Sequence, residues 1–131
     1  MFRQMFDMPR GTVGFEAVGD IDDDDFEDVV EPVLRRQIAD GHKLRLLYVL
    51  GPQLREYDGE AAQEEFTFAA RHATAYERVG VVSDESWLRP ALRLLSVLVP
   101  GEIRGFPVAD LADARRWVAD GLDGQGRSTT G

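Results

Sequence analysis

The chain has 131 residues, 44% of them hydrophobic and none of them cysteine, which suits one domain with a proper core and excludes disulfides, thiolate metal sites and cysteine nucleophiles. The net charge is −9, and residues 1–65 carry 16 acidic against 7 basic side chains while 66–131 carry 8 of each, so we expect no nucleic-acid partner. The sequence has no run of about 18 apolar residues that could span a bilayer and no signal-peptide pattern, so we expect a cytoplasmic protein.

Two short apolar runs open the chain and predict a β-hairpin or two consecutive strands. They are FRQMFDM (2–8) and TVGFEAVGD (12–20), and the segment PRG joins them. Proline and glycine between two apolar runs are typical of a tight connection. We therefore expect both runs to form strands, either as a hairpin or one after the other.

The next segment, GDIDDDDFEDVVEPV (19–33), is strongly acidic and suggests either a metal loop or the start of a helix. Three aspartates fit alternate ligand positions of a calcium loop, but Asp25 occupies the position where a sharp turn requires glycine. Apolar residues at helical spacing continue through 26–38. We therefore interpret the carboxylates as the capped first turn of a helix over 22–40, in which Pro32 should produce a kink or a step.

The rest of the chain alternates apolar runs with amphipathic segments, which predicts βαβ units with parallel strands and right-handed crossovers. The segment 51–59 is predicted to be a loop that leads into the next helix at about Gly59, and 121–131 a disordered tail. The predicted strands cover 42–50, 78–83 and 102–108, and the predicted helices cover 59–75, 84–101 and 109–121.

Motifs for catalysis are missing from the sequence. It has no glycine-rich phosphate loop and no serine in a nucleophile elbow, and neither His42 nor His72 has a second histidine at metal-ligand spacing. Glu64 and Glu65 form an acid/base pair only if they are buried, and on an exposed helix face they serve solvation. The sequence therefore favours a protein without enzymatic activity, cofactor or bound metal.

Two aromatic residues of the second predicted helix suggest a crevice. Phe66 and Phe68 are separated by about 200° around a helix axis, so one flat sheet face cannot cover both rings. One ring must face solvent, a loop or a cavity. Together with Tyr57 and the aliphatic face of the third helix, this predicts an apolar crevice beside the second helix, and the alternative is ordinary core packing.

Several strings of the sequence resemble the SpoIIAA-like family, whose members are relatives of the STAS domain. The resemblance runs from about Gly14 to Val118, and Pro32 lies where the family commonly has a proline. It implies an α/β fold with a mixed five-stranded sheet and flanking helices, a single domain over residues 1–120, and no established enzymatic activity. The segments that carry it are KLRLLYVLG (43–51), ERVGVVSDESWLRPALRLLSVLVPGEIRGFP (77–107) and DLADARRWV (110–118).

The resemblance also implies partners, but the chain departs from two family patterns. Members are expected to bind small apolar or lipid-like ligands, or membranes, around the second and third helices. The stretch 51–65 has no serine or threonine, so the phosphorylation switch of STAS antagonists is not implied. Gln63 and Thr67 stand where the second helix often has a tryptophan and a lysine, which weakens the expectation of membrane contact.

These observations predict a domain that binds a small apolar molecule or an acyl chain near the second and third helices, with Arg89 or Arg93 orienting a carboxylate head. A membrane surface is a further partner that the resemblance implies. The alternative is a STAS-like interaction module whose acidic first helix binds a basic protein or a second copy of the chain as a homodimer. The residues predicted to form the ligand site are Leu50, Tyr57, Phe66, Phe68, Trp87, Arg89, Arg93 and Leu95.

Overall fold

In the computed structural model, which describes residues 1–126, the two N-terminal apolar runs form antiparallel strands β1 (Phe2–Met5) and β2 (Val13–Ala17). Every residue of β1 pairs with a residue of β2. A short strand, β3 (Gly19–Ile21), follows at once. The predicted hairpin is therefore confirmed.

The acidic segment begins a continuous helical stretch composed of α1 (Asp23–Asp25), a π-helical turn (Phe26–Val30) and α2 (Glu31–Ala39). The Asp22 carboxylate accepts a hydrogen bond from the backbone N–H of Asp25, and the Asp25 carboxylate accepts one from the N–H of Asp22. This reciprocal pair satisfies two backbone donors at the helix start. The interpretation of the carboxylates as a capped helix start is confirmed.

Pro32 lies in the first turn of α2 and explains the π-helical turn before it. Proline has no N–H to donate, and its ring crowds the carbonyl four residues back. The helix widens just before it, so that the N–H of Glu31 donates to the carbonyl of Phe26, five residues earlier. The step that the sequence predicts at this proline is therefore present.

The remaining elements alternate strands and helices, as predicted. The main sheet has the strand order β1-β2-β4-β6-β7, and all of its neighbouring strands are parallel except β1 and β2. The expected mixed five-stranded sheet is confirmed. The elements that follow α2 are β4 (Leu44–Leu50), β5 (Leu54–Tyr57), α3 (Gly59–Arg71), β6 (Tyr76–Ser83), α4 (Leu88–Leu98), β7 (Glu102–Phe106) and α5 (Leu111–Ala119).

Strand β5 lies in the segment that the sequence predicts to be a loop, so that prediction is wrong. The strand pairs in parallel with β3 in a separate two-stranded sheet. Its partner is more than 30 residues away, and an ion pair between Arg55 and Asp20 joins the two strands. Such a strand has no local apolar alternation, because its stability comes from the distant partner. Asp58 then caps α3 by accepting from the N–H of Glu60.

Helices cover both faces of the main sheet. On one face, Leu46 and Leu50 of β4 belong to the larger core, which the helices from α1 to α4 cover. On the other face, Leu47 of β4 and Val82 of β6 pack against Val118 of α5. Successive side chains of a strand point to opposite faces, so β4 needs apolar residues at nearly every position. The prediction of a doubly buried strand is confirmed.

The last helix is fixed at its C-terminal end by a buried cation. Arg45, which is 7% exposed, donates from its guanidinium to the carbonyls of Val118 at 3.1 Å and Asp120 at 2.6 Å. The same guanidinium forms an ion pair with Glu77. A cation at a helix C-terminus satisfies carbonyls that have no partner within the helix and complements the helix dipole.

After α5 the chain continues through residue 126 mostly as turns and bends, with one isolated β-bridge residue at Leu122. A Cβ atom placed on Gly11 would lie 2.6 Å from the carbonyl oxygen of Gly126, so the two backbones are in close contact. The sequence predicts a disordered tail from Gly121, and the part of that prediction that concerns 127–131 lies outside the described residues.

Candidate functional site

Helices α3 and α4 lie beside each other on the same face of the main sheet and leave a crevice between them. The crevice has a volume of about 80 Å³. Tyr48 of β4 and Val81 of β6 contribute its floor, and Ala62 and Phe66 of α3 contribute one wall. A second cavity of about 60 Å³ adjoins it and shares Tyr48 and Phe66. We refer to the two cavities together as the α3–α4 crevice.

The sequence of α4 explains the opposite wall. Leu88, Leu92 and Leu95 recur at helical spacing and therefore lie on one side of the helix, where all three line the crevice. Trp87 precedes the helix and lies at one end of the crevice, with its ring centroid 5.8 Å from that of Tyr57. Aliphatic and aromatic side chains thus form most of the lining.

Glu65 is the exception, because it places a carboxyl group in this apolar lining and belongs to both cavities. Ala62 and Ala69, one turn before and one turn after Glu65 on α3, also line the crevice and have small side chains that leave room for it. The hydroxyl of Tyr57 donates a hydrogen bond to Oε1 of Glu65. The carboxyl therefore has a polar partner inside an otherwise apolar cavity.

Burial changes the ionisation of these groups. It raises the pKa of Glu65 from 4.5 to about 8, because a charged carboxylate loses hydration there, and the Tyr57 hydrogen bond opposes this rise only in part. Burial and the nearby Glu65 also raise the pKa of Tyr48 and of Tyr57 well above 10. Near neutral pH, the crevice thus contains a protonated carboxyl and neutral phenols.

The structure brings together five of the eight residues that the sequence predicts for the ligand site. These five share the lining of the α3–α4 crevice with Glu65. They are Leu50, Tyr57, Phe66, Trp87 and Leu95.

Phe68 does not line the crevice. It is 3% exposed and packs edge-to-face against Phe26, with the ring centroids 5.8 Å apart. The π-helical turn that contains Phe26 covers the side of α3 that faces away from the crevice. The argument that one sheet face cannot cover both rings therefore holds, but a neighbouring helix buries Phe68 and it is Phe66 that lines the cavity.

Arg89 and Arg93 also lie elsewhere, because each is about 100° around α4 from a crevice leucine. They line an open cleft of about 850 Å³ on the other side of α4, together with Ser83, Asp84 and Glu85. This cleft is larger and also has apolar lining residues, among them Leu92 and Phe106. It combines them with charged side chains of both signs, unlike the α3–α4 crevice, where Glu65 is the one charged residue among the described residues of the lining. The expectation that these arginines orient a ligand head in the crevice is therefore not met.

The sequence does not predict Glu65 as a crevice residue, because an exposed helix face, where Glu64 and Glu65 would serve solvation, is the more frequent position for a glutamate. The available signal was its position four residues after Ala61 and four before Ala69, which are both buried. Residues four apart share a helix face, so Glu65 follows the buried stripe of α3. His72, at the C-terminal end of α3, packs against the Phe68 ring, with the ring centroids 4.5 Å apart and the ring planes tilted by 39°.

Comparisons with known proteins agree with this architecture. The model of the SpoIIAA-like family matches residues 12–119. An uncharacterised protein of the DUF3478 family with a SpoIIAA-like fold, from Shewanella loihica PV-4, has a crystal structure that matches with a TM-score of 0.68 at 22% identity, covering 90% of this chain and 92% of that chain. No curated protein is significantly similar in sequence. Within residues 1–126, the structure contains no helix with the length and apolar character that crossing a membrane requires.

Proposed function

Because the chain belongs to the SpoIIAA-like family, we propose that it is a non-enzymatic domain that binds a small apolar or lipid-like molecule in the α3–α4 crevice. The observation that carries this proposal is the lining itself, in which aliphatic and aromatic side chains surround the single carboxyl of Glu65. Binding sites for small molecules commonly combine an apolar lining with a few polar groups that orient the ligand.

The volume of the crevice restricts the ligand. Cavities of about 80 and 60 Å³ are together comparable to an engineered apolar cavity of about 150 Å³ that holds benzene. A longer molecule would insert only its end, or would need α4 to move outward. Each methylene that enters contributes about 0.8 kcal/mol, so even a short alkyl segment gives measurable binding.

A titration with dodecan-1-ol tests the proposal, because this probe is neutral and flexible. Trp87 lies at the mouth of the crevice and should report binding through its fluorescence. We expect saturable binding with one probe per chain, and we expect Leu95→Phe to weaken it by about tenfold because the larger ring fills the cavity. Val97→Phe is the matched control, since Val97 is on the same helix and is 83% exposed. Equal binding by both variants would contradict the proposal.

The outer face of α4 supports a related proposal of contact with membranes. Trp87, Leu94 and Val97 follow one side of the helix and are 42%, 54% and 83% exposed. A membrane-bound lipid could reach the crevice past Trp87. Co-sedimentation with neutral phosphatidylcholine vesicles should occur and should decrease in Val97→Asp. Self-association that Val97→Asp abolishes, without vesicle binding, would identify this face as a homodimer contact instead.

A second candidate function, binding of a basic protein, is favoured by the crowding of carboxylates at the start of the first helical stretch. The neighbouring Asp23 and Asp22 raise the pKa of Asp24, which is a sign of mutual repulsion. A cationic partner would relieve this repulsion. Binding of an oligolysine peptide should weaken steeply with salt and should decrease in Asp24→Asn more than in the control Asp110→Asn. Salt-insensitive binding would exclude this function.

A further inference from the structure

The charges around the α3–α4 crevice indicate which head group its ligand carries. We infer that the crevice selects amphiphiles with a primary ammonium head, which pairs with the Glu65 carboxylate while the alkyl chain lies along α4. This inference rests on the proposed function and deepens it. It replaces the expectation, based on Arg89 and Arg93, that the ligand is a carboxylate.

Charge complementarity is the first argument. Among the described residues that line the two cavities, none is a lysine, an arginine or a histidine, and Glu65 is the only acid. A carboxylate ligand would find no cation there and would be repelled by Glu65 when that group is ionised. An ammonium group would find an opposite charge in a poorly hydrated site, where such pairs attract more strongly than in water.

The aromatic side chains around Glu65 are the second argument. Tyr48, Tyr57, Phe66 and Trp87 all line the cavity that contains the carboxyl. The rings of Tyr57 and Trp87 have centroids 5.8 Å apart, and Trp87 is partly exposed at the mouth. Aromatic faces attract cations, and cages of such rings recognise ammonium ligands. The rings do not offer the same attraction to an anion.

The protonation of Glu65 makes this selection depend on pH. Burial raises the pKa of Glu65 to about 8, so below that pH an ammonium ligand must displace a proton from the carboxyl. Affinity for the amine should therefore rise by up to about tenfold for each pH unit from about pH 6 to about pH 8, and then level until the amine itself loses its proton near about pH 10.

The other titratable groups that face Glu65 do not change this pH dependence of amine binding. They are Tyr48 from β4, Tyr57 at the end of β5, and Tyr76 from β6, and burial raises the pKa of each above 10. All three phenols therefore stay neutral over the range in which Glu65 titrates. The side chains that α4 contributes to the lining are uncharged. Asp25 acts more distantly and raises the pKa of Tyr57.

The test compares three probes of equal chain length on the full chain, below their micelle concentrations: dodecylamine, dodecan-1-ol and dodecanoate. Calorimetric titrations at about pH 6 and about pH 8 should give an amine affinity at least about tenfold above that of dodecanoate at the higher pH. Glu65→Gln should remove the amine preference and its dependence on pH. Glu64→Gln, on the neighbouring position, controls for the loss of one acidic charge.

Two results would overturn the inference. Amine binding no tighter than alcohol binding at the higher pH would mean that Glu65 recognises no cation. If Glu65→Gln still prefers the amine, the preference comes from the overall negative charge of the protein and not from Glu65. If dodecan-1-ol binds without any amine preference, the proposed function stands and only this inference fails. If none of the three probes binds, both fail.

Discussion

The hydroxyl of Tyr57 donates a hydrogen bond to the carboxyl of Glu65 across the α3–α4 crevice, which links the end of β5 to the middle of α3. This bond lowers the pKa of Glu65 against the larger opposite effect of burial. We predict that Tyr57→Phe, which keeps the ring and removes the donor, raises the pKa of Glu65 further.

Carbon-13 NMR titration of the glutamate side-chain carboxyls measures this change directly. Tyr76→Phe is the control, because Tyr76 also faces Glu65 and shows no hydrogen bond to it among the bonds of the described chain. An unchanged titration of Glu65 in Tyr57→Phe would mean that the hydrogen bond has no effect on its ionisation.

The raised pKa of Glu65 should make the folded protein less stable as the pH rises. The folded chain retains this proton up to about pH 8, whereas in the unfolded chain it is lost near the ordinary value of 4.5. The contribution of this proton to the free energy of unfolding is fully present below pH 4.5. It is lost as the pH rises from there to about 8, at up to about 1.4 kcal/mol for each pH unit.

Urea unfolding at about pH 6 and about pH 8 checks this prediction with Glu65→Gln as the comparison. Between these two pH values, the free energy of unfolding should decrease less in the variant than in the wild-type protein, because glutamine does not titrate. Parallel loss in both proteins would show that other groups cause the pH dependence.

The buried guanidinium of Arg45 should be worth more than an exposed ion pair. Arg45→Met removes the donor to the carbonyls of Val118 and Asp120 and leaves Glu77 without its cation. We expect a loss of about 2 to 4 kcal/mol in the free energy of unfolding, with faster hydrogen exchange of the backbone amides in α5.

Arg3→Met is the matched control for this prediction. Arg3 pairs with Glu16 but its side chain is 53% exposed, so its loss should cost less than about 1 kcal/mol. Equal losses in the two variants would contradict the role of Arg45 in fixing α5.

The capping of the first helix by Asp22 gives a further prediction. Asp22→Ala removes the acceptor for the N–H of Asp25 and should cost about 1 kcal/mol of stability. Asp22→Asn keeps an acceptor oxygen and removes a charge that repels Asp24, so it should cost less. Thermal unfolding of the two variants measures the difference, and an alanine variant as stable as the asparagine variant would argue against the cap.

The sequence was most informative where a local pattern decides the structure. The nearly continuous apolar run of β4 predicts a strand buried on both faces, and the leucine spacing of α4 predicts its apolar side. Strand β5 could not be predicted in this way, because its pairing partner lies in β3 and a short polar strand has no periodicity of its own.

The site was harder to predict because it depends on how helices pack against one another. The spacing of Phe66 and Phe68 correctly predicts that one sheet face cannot cover both rings. Only the position of Phe26 decides which of the two rings is buried. Glu65 follows the stripe of Ala61 and Ala69 and is itself half-buried. The sequence favours an exposed position because a glutamate is rarely buried. Its partial burial also requires the packing of α4 over the crevice, whereas the spacing within α3 indicates only a shared helix face.

The central claim is that the α3–α4 crevice holds an apolar molecule, and intermolecular NMR contacts test it most directly. With dodecan-1-ol bound to the full chain, we predict nuclear Overhauser contacts from the alkyl protons to the methyl groups of Leu92 and Leu95 and to the ring of Phe66. Contacts confined to Leu94 and Val97 on the exposed face of α4, or no contacts at all, would contradict the claim.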